Sequence, residues 1–148
     1  KYDIIMWYKW IFRNEWGTIM KDFTAKLSAS AVTTVDSSNT AKAVKSGALD
    51  VFATPMMLAL MEEATCLACA PLLDDGETTV GTNVSVSHNK ASGIGTQITA
   101  TAILENADGR KLTFSVLAKD NNDDIIGKGT IERFVVLEDK FMKKVNSK

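Results

Sequence analysis

Nothing limits the folds open to this chain more than the run from Val51 to Pro71, Val-Phe-Ala-Thr-Pro-Met-Met-Leu-Ala-Leu-Met-Glu-Glu-Ala-Thr-Cys-Leu-Ala-Cys-Ala-Pro. Thr54 reads as a helix N-cap and Pro55 as the first helical residue, where a missing N–H costs nothing because the position has no intrahelical acceptor. Pro71 and the following Leu72-Leu-Asp-Asp-Gly76 end the helix. From Met56 to Met61 every residue is apolar, so no face suits water and other structure has to wrap the helix. Glu62 follows directly, with no Lys or Arg within one helical turn.

The flanking sequence supplies the wrapping. Phe23, Ala25, Leu27, Ala29, Ala31, Thr33 and Val35 fall on one face of a predicted long strand. Asp36-Ser-Ser-Asn-Thr40 predicts a turn that caps a short helix through Val44, and Ser46-Gly47 leads on to the central helix. Beyond that helix four alternating segments follow. Thr79 to His88 sets Val80, Val84 and Val86 inward; Gln97 to Glu105 sets Ile98, Ala100, Ala102 and Leu104 inward. Arg110 to Lys119 sets Leu112, Phe114 and Val116 inward, and Ile125 to Leu137 is the last strand. Turn-forming residues join them at Ser92–Gly95, Asn106–Gly109 and Asp120–Asp124. Glu138 to Val145 predicts a closing helical turn or two.

This order of elements, with short antiparallel connections, predicts an α+β fold: one long central helix wrapped by a curved antiparallel sheet of about five strands. A single sheet covers only one side of a helix that is apolar all round. A second copy is the simplest cover for the rest, so a homodimer is expected.

Composition bounds the function. A chain of 148 residues buries about 70% of its unfolded surface, enough for one ordinary core without disulfides or metal. Seventeen basic and eighteen acidic side chains nearly cancel, and no basic stripe invites nucleic acid. No apolar run reaches the length of about 20 residues that spans a bilayer, so no membrane partner is expected. Cys66 and Cys69 share one helix and offer no disulfide framework, which points to a reducing, cytoplasmic compartment. Their spacing suits redox chemistry, but they lie far from the helix N-terminus that would stabilise a thiolate, so they read as small core residues. One histidine and two cysteines fall short of the roughly four ligands of a structural zinc site. Gly93-x-Gly95 lacks the rest of a dinucleotide fingerprint, and Asp120–Asp124 lacks the glycine and distal glutamate of a calcium loop.

Residues 1–20 stand apart. All three tryptophans and six of the eleven aromatic residues lie there, with Ile4, Tyr8, Ile11, Phe12, Trp16 and Ile19 at helical spacing. Lys9, Arg13 and Glu15 interrupt the apolar stretch and argue against a signal peptide. The segment reads either as an extra helix packed on the domain or as a non-native leader ahead of a start at Met20. The change of composition there favours the leader, leaving residues 21–148 as the domain.

Three residues carry possible chemistry on their own account. Thr54 caps a helix whatever else it does. Glu62 either pairs with Arg133 or a lysine, or sits as a buried carboxylate of raised pKa that can act as a base. His88, the one histidine, ends a strand beside a glycine-rich turn, where it is either a surface residue or a proton carrier.

Three spaced signals resemble a hotdog-fold acyl-CoA thioesterase, closest to the fluoroacetyl-CoA thioesterase group. They are Val51-Phe-Ala-Thr-Pro with Leu60-Met-Glu-Glu-Ala, then Val80-Gly-Thr with Val86-Ser-His88, then Gly127-x-Gly-Thr-x-Glu-Arg133. The resemblance runs from about Ala25 to Val145, essentially the whole domain. It implies hydrolysis of a small or medium acyl-CoA without metal or bound cofactor, at a site on a dimer interface. It also implies a catalytic set of Thr54, Glu62 and His88, with Gly81 and Arg133 as substrate contacts. Glu62 would be the base that activates water, or the nucleophile itself. The helix N-terminus and the N–H of Gly81 would stabilise the charge developing on the carbonyl oxygen. Two departures matter: Asp36 to Asp50 holds no aromatic residue, so the aromatic lid associated with fluoroacetyl selectivity is not expected here, and the loop Asn89-Lys-Ala-Ser-Gly-Ile-Gly95 lacks the prolines common there. A hydratase or dehydratase, or a module that binds acyl thioesters without cleaving them, is the alternative on the same fold.

Overall fold

The computed structural model describes residues 27–147. The expectations for residues 1–20, and for Phe23 and Ala25 in the first strand, lie outside the described residues.

Strand β1 (Ser28–Thr34) is followed by helix α1 (Thr54–Cys69), which tightens into a 3₁₀ turn at Ala70–Leu72. Strands β2 (Glu77–His88), β3 (Gln97–Asp108), β4 (Lys111–Asp120) and β5 (Ile125–Leu137) come next, and helix α2 (Glu138–Asn146) closes the chain. The strands form one antiparallel sheet in the order β1-β3-β4-β5-β2, wrapped on α1 as the periodicity predicts.

Met57, Leu60, Met61, Ala64, Ala68 and Cys69 line the buried side of α1. Against them pack Ile98, Ala100, Ala102 and Leu104 of β3 and Leu112, Phe114 and Val116 of β4, all of them buried as their alternation requires. With its 3₁₀ turn the helix runs 19 residues at a mean hydropathy of 1.2, long and apolar enough to cross a bilayer. Its packing against the sheet is that of a core helix. Among the described residues the far side is left partly open: Met56 and Leu58 are half-buried, and Leu67 is 49% exposed.

Three local expectations are corrected. The short helix through Val44 does not form. Thr40 instead bridges Phe52, and the N–H groups of Ala41 and Lys42 donate to Val51 and Leu49 at 2.8 and 3.1 Å, so the segment folds back on the chain entering α1. Nor is Thr54 the N-cap. Ala53 holds that position with extended backbone (φ −74, ψ 137) and provides no side-chain cap, which leaves the Thr54 hydroxyl for another partner.

The third correction concerns Val80. The register of β2 against β5 slips between Gly81 and Asn83, making Thr82 the extra residue of a β-bulge. A bulge reverses the phase of the strand beyond it. Val80 therefore lies opposite Phe134 on the outer face, whereas Gly81 lies opposite Arg133 and Val84 opposite the buried Ile131. Thr79 and Gly81 are thereby turned toward α1.

Two glycines on β5 let the layers approach. A Cβ on Gly127 would lie 2.6 Å from the Met57 sulfur, and one on Gly129 would lie 2.0 Å from the carbonyl oxygen of Ser85. Because the obstruction at Gly129 is backbone, Gly129→Ala is expected to cost about 3 kcal/mol of stability, seen as a lowered thermal midpoint. An unchanged midpoint would show that β2 and β5 can separate freely there.

Candidate active site

The sequence-predicted residues gather in two places on one chain. At the start of α1, Thr54 Oγ1 lies 2.9 Å from Nδ1 of His88, the last residue of β2. The strand end is fixed just beyond, where the N–H of Asn89 donates to the Ile126 carbonyl at 2.8 Å. The ring of Phe52 meets the imidazole edge-on, with centroids 6.5 Å apart. Burial pushes the pKa of His88 below 6.5, partly offset by the backbone of Lys90. The imidazole is therefore neutral near pH 7. Its Nε2 is buried and has no hydrogen-bond partner among the described residues. A group left unpaired in that way is a place to look for a ligand or a second chain.

Thr54 and His88 open into a pocket of about 250 Å³, whose other walls include Ala41, Ser46, Val51 and Phe52. Lys90 is at its rim, held by Asp120 at 2.6 Å and paired also with Asp124. That hydrogen bond holds the Asp120 carboxyl below the usual carboxylate range and ties the pocket wall to the β4–β5 turn. In the first turn of α1 Pro55 has no N–H and Met56 donates to the Ala53 carbonyl at 3.0 Å, which leaves the Thr54 N–H without an acceptor among the described residues; with the helix dipole it adds partial positive charge at the pocket.

The second cluster sits further along the helix. Glu62 Oε1 is 3.5 Å from Nη1 of Arg133, and the Glu62 side chain is 38% exposed, so it is not the buried carboxylate that the apolar run suggests. Gly81 faces it so closely that an added Cβ would stand 2.6 Å from Oε1. Arg133 is buried, and Thr65 and Thr79 hold the rest of its guanidinium. Sequence reasoning missed both threonines. Thr65 could have been found as the polar residue one turn beyond Glu62 on the same face, but Thr79 could not, because the bulge hides its phase. Eight residues of helix separate Thr54 from Glu62, about 12 Å along the axis. Within one chain the two clusters do not meet. Among the described residues no group of three His, Cys, Asp or Glu side chains converges to hold a metal ion.

Solved structures share this architecture. The fluoroacetyl-CoA thioesterase FlK is 34% identical, superposes with a TM-score of 0.79, and is matched over 86% of this chain and 98% of its own. A thioesterase superfamily member from Thermus thermophilus, 25% identical, also gives 0.79 over 86% of this chain and 94% of its own. The domain is a hotdog-fold thioesterase. Residues 35–139 match the family model of the fluoroacetyl-CoA-specific thioesterases. The fluoroacetyl-CoA thioesterase of Streptantibioticus cattleyicolor is 44% identical over 99 residues, 67% of this chain and 70% of that protein. The chain belongs to the fluoroacetyl-CoA-specific thioesterase family.

Proposed function

We propose that the protein hydrolyses short acyl-CoA thioesters in the cytoplasm as a homodimer, with each site assembled from two chains. The observation that carries this reading is the 2.9 Å Thr54–His88 pair at a helix start without a side-chain cap, set apart from Glu62 on the same helix. Strand β2 lies at the sheet edge, and its residues 81–85 are exposed. A long open edge invites pairing. Two copies of β2 paired antiparallel about an axis through Ser85, which keeps Val84 and Val86 on one face, would set His88 of one copy against the Gly81–Thr82 bulge of the other. Thr54 and His88 of one chain would then face Glu62, Gly81 and Arg133 of the second.

The chemistry follows from what these groups carry. Glu62 takes a proton from water as the water oxygen bonds to the thioester carbon. The N–H of Thr54, at the positive end of α1, and the N–H of Gly81 receive the charge that develops on the carbonyl oxygen. Neutral His88 accepts a hydrogen bond from the Thr54 hydroxyl at Nδ1 and so fixes Thr54 at the mouth of the pocket. As the C–S bond breaks, the proton held on Glu62 passes to the CoA sulfur, giving the free acid and the thiol.

The substrate proposed is a short acyl group without selectivity for fluorine. FlK and the Streptantibioticus protein are fluoroacetyl-CoA thioesterases by name, but here Ala41 and Ser46 line the pocket and no aromatic residue lies between Asp36 and Asp50.

The test is release of free thiol from a panel of acyl-CoAs across pH. Thiol is expected from acetyl- and propionyl-CoA. The rate should fall on the acid side with an apparent pKa below 6.5, because protonated His88 can no longer accept from Thr54. Loss of enoyl absorbance without thiol would mean a hydratase, and thermal stabilisation by intact acyl-CoA would mean a binding module. A rate flat from about pH 5 to 8 would remove His88 from the mechanism.

A further inference from the structure

Arg133 is only 6% exposed, and its guanidinium is met from three sides. Nε donates to Thr79 Oγ1 at 2.9 Å, and Nη2 to the Thr79 carbonyl at 3.1 Å. Nη1 reaches Thr65 Oγ1 at 3.4 Å and Glu62 Oε1 at 3.5 Å. An arginine has no acceptor, so both threonine oxygens must offer lone pairs. Each can do so because its own hydrogen is engaged elsewhere. The Thr65 hydroxyl donates to the Glu62 carbonyl at 2.6 Å. The Cys69 thiol donates to the Cys66 carbonyl at 3.4 Å, which leaves its sulfur to accept the Thr79 hydroxyl at 3.7 Å. Burial pushes the Cys69 thiol pKa up, so it stays a donor.

We propose that Cys69, Thr79 and Thr65 are positioning residues for the reaction, acting through Arg133 to fix the carboxylate of Glu62. Every proton in the chain has one direction: Cys69 to Cys66, Thr79 to Cys69, Arg133 to Thr79, Thr65 and Glu62. Thr79 grips the guanidinium at two points and so sets the plane in which Nη1 points at Glu62 Oε1. Oε2 makes no hydrogen bond among the described residues and is left for water. Gly81 closes the other side, since any Cβ there would displace Oε1. This gives the buried cysteine a role that is neither redox nor metal binding. It also makes Arg133 a clamp on the base rather than a substrate contact.

The inference rests on Glu62 as the base, and the experiment separates the two. Thr79→Val removes the hydroxyl at nearly constant shape in a strand. It is expected to lower kcat about ten- to a hundredfold, as small misplacements of a catalytic group do, with KM within about twofold. Thr79→Ser should restore turnover, which a purely steric role would not predict. In a Glu62→Gln background the same Thr79→Val change should cost nothing further, because the group it positions is already gone. Wild-type kcat in folded Thr79→Val, with Glu62→Gln inactive, would overturn the relay and leave the base reading intact. An equal loss in both backgrounds would do the same. Turnover retained by Glu62→Gln alone would overturn both. Should Thr79→Val not fold, Thr65→Val removes the other oxygen and is read in the same way.

Discussion

Glu62→Gln is expected to lose about 10²- to 10⁴-fold in thiol release while folding as the parent does. The amide keeps the shape of the side chain and an oxygen for Arg133 to donate to, but it cannot take a proton from water. Stability should hardly move, because Glu62 is more than a third exposed and pairs with Arg133 at 3.5 Å, a contact worth about 1 kcal/mol or less. Two measurements settle it: thiol release at saturating acyl-CoA and the thermal midpoint. Turnover near that of the parent, in a protein of unchanged midpoint, would remove Glu62 as the base.

Mixing Thr54→Ala with Glu62→Gln protein is expected to recover activity that neither has alone. In the dimer proposed above, each site takes Thr54 and His88 from one chain and Glu62, Gly81 and Arg133 from the other. A mixed dimer then holds one site with both changes and one with neither. Random exchange makes about half the dimers mixed, so about a quarter of parental activity should return. Sites built within single chains would give no recovery once subunit exchange is confirmed, and the edge-to-edge pairing of β2 would then have to be abandoned. The side of α1 left open among the described residues, with Leu67 half exposed, is consistent with a partner there.

Much of this was legible from period alone. β3 and β4 bury Ile98, Ala100, Ala102, Leu104, Leu112, Phe114 and Val116, as strict alternation demands, because the register shift in β3 comes only after Leu104. The helix was legible because Pro55 and Pro71 bound an apolar run. What failed did so for local reasons. Thr54 has the chemistry of a cap, yet the backbone turns into the helix one residue earlier and its hydroxyl bonds to His88, a contact 34 residues away in sequence. Val80 was misplaced because one unpaired residue, Thr82, shifts the phase of β2, and a bulge leaves no mark in the hydrophobic pattern. Glu62 looked buried because its neighbours are apolar, whereas a partly open side chain comes from where the sheet edge stops. That edge depends on pairing order, which spacing does not encode.

The bulge at Thr82 also bears on how such a site can change by descent. Thr79 and Gly81 share a face with Val84 only because Thr82 is left out of the ladder: Gly81 pairs with Arg133, Asn83 with Glu132 and Val84 with Ile131, three consecutive partners on β5. Deleting Thr82 would therefore straighten the edge and leave Thr79, Gly81, Arg133 and every inward side chain from Val84 onward on its present face. The strand can change its length by one residue here in descent without moving the pocket, so a one-residue gap between relatives at this point would leave the motif residues both present and in place.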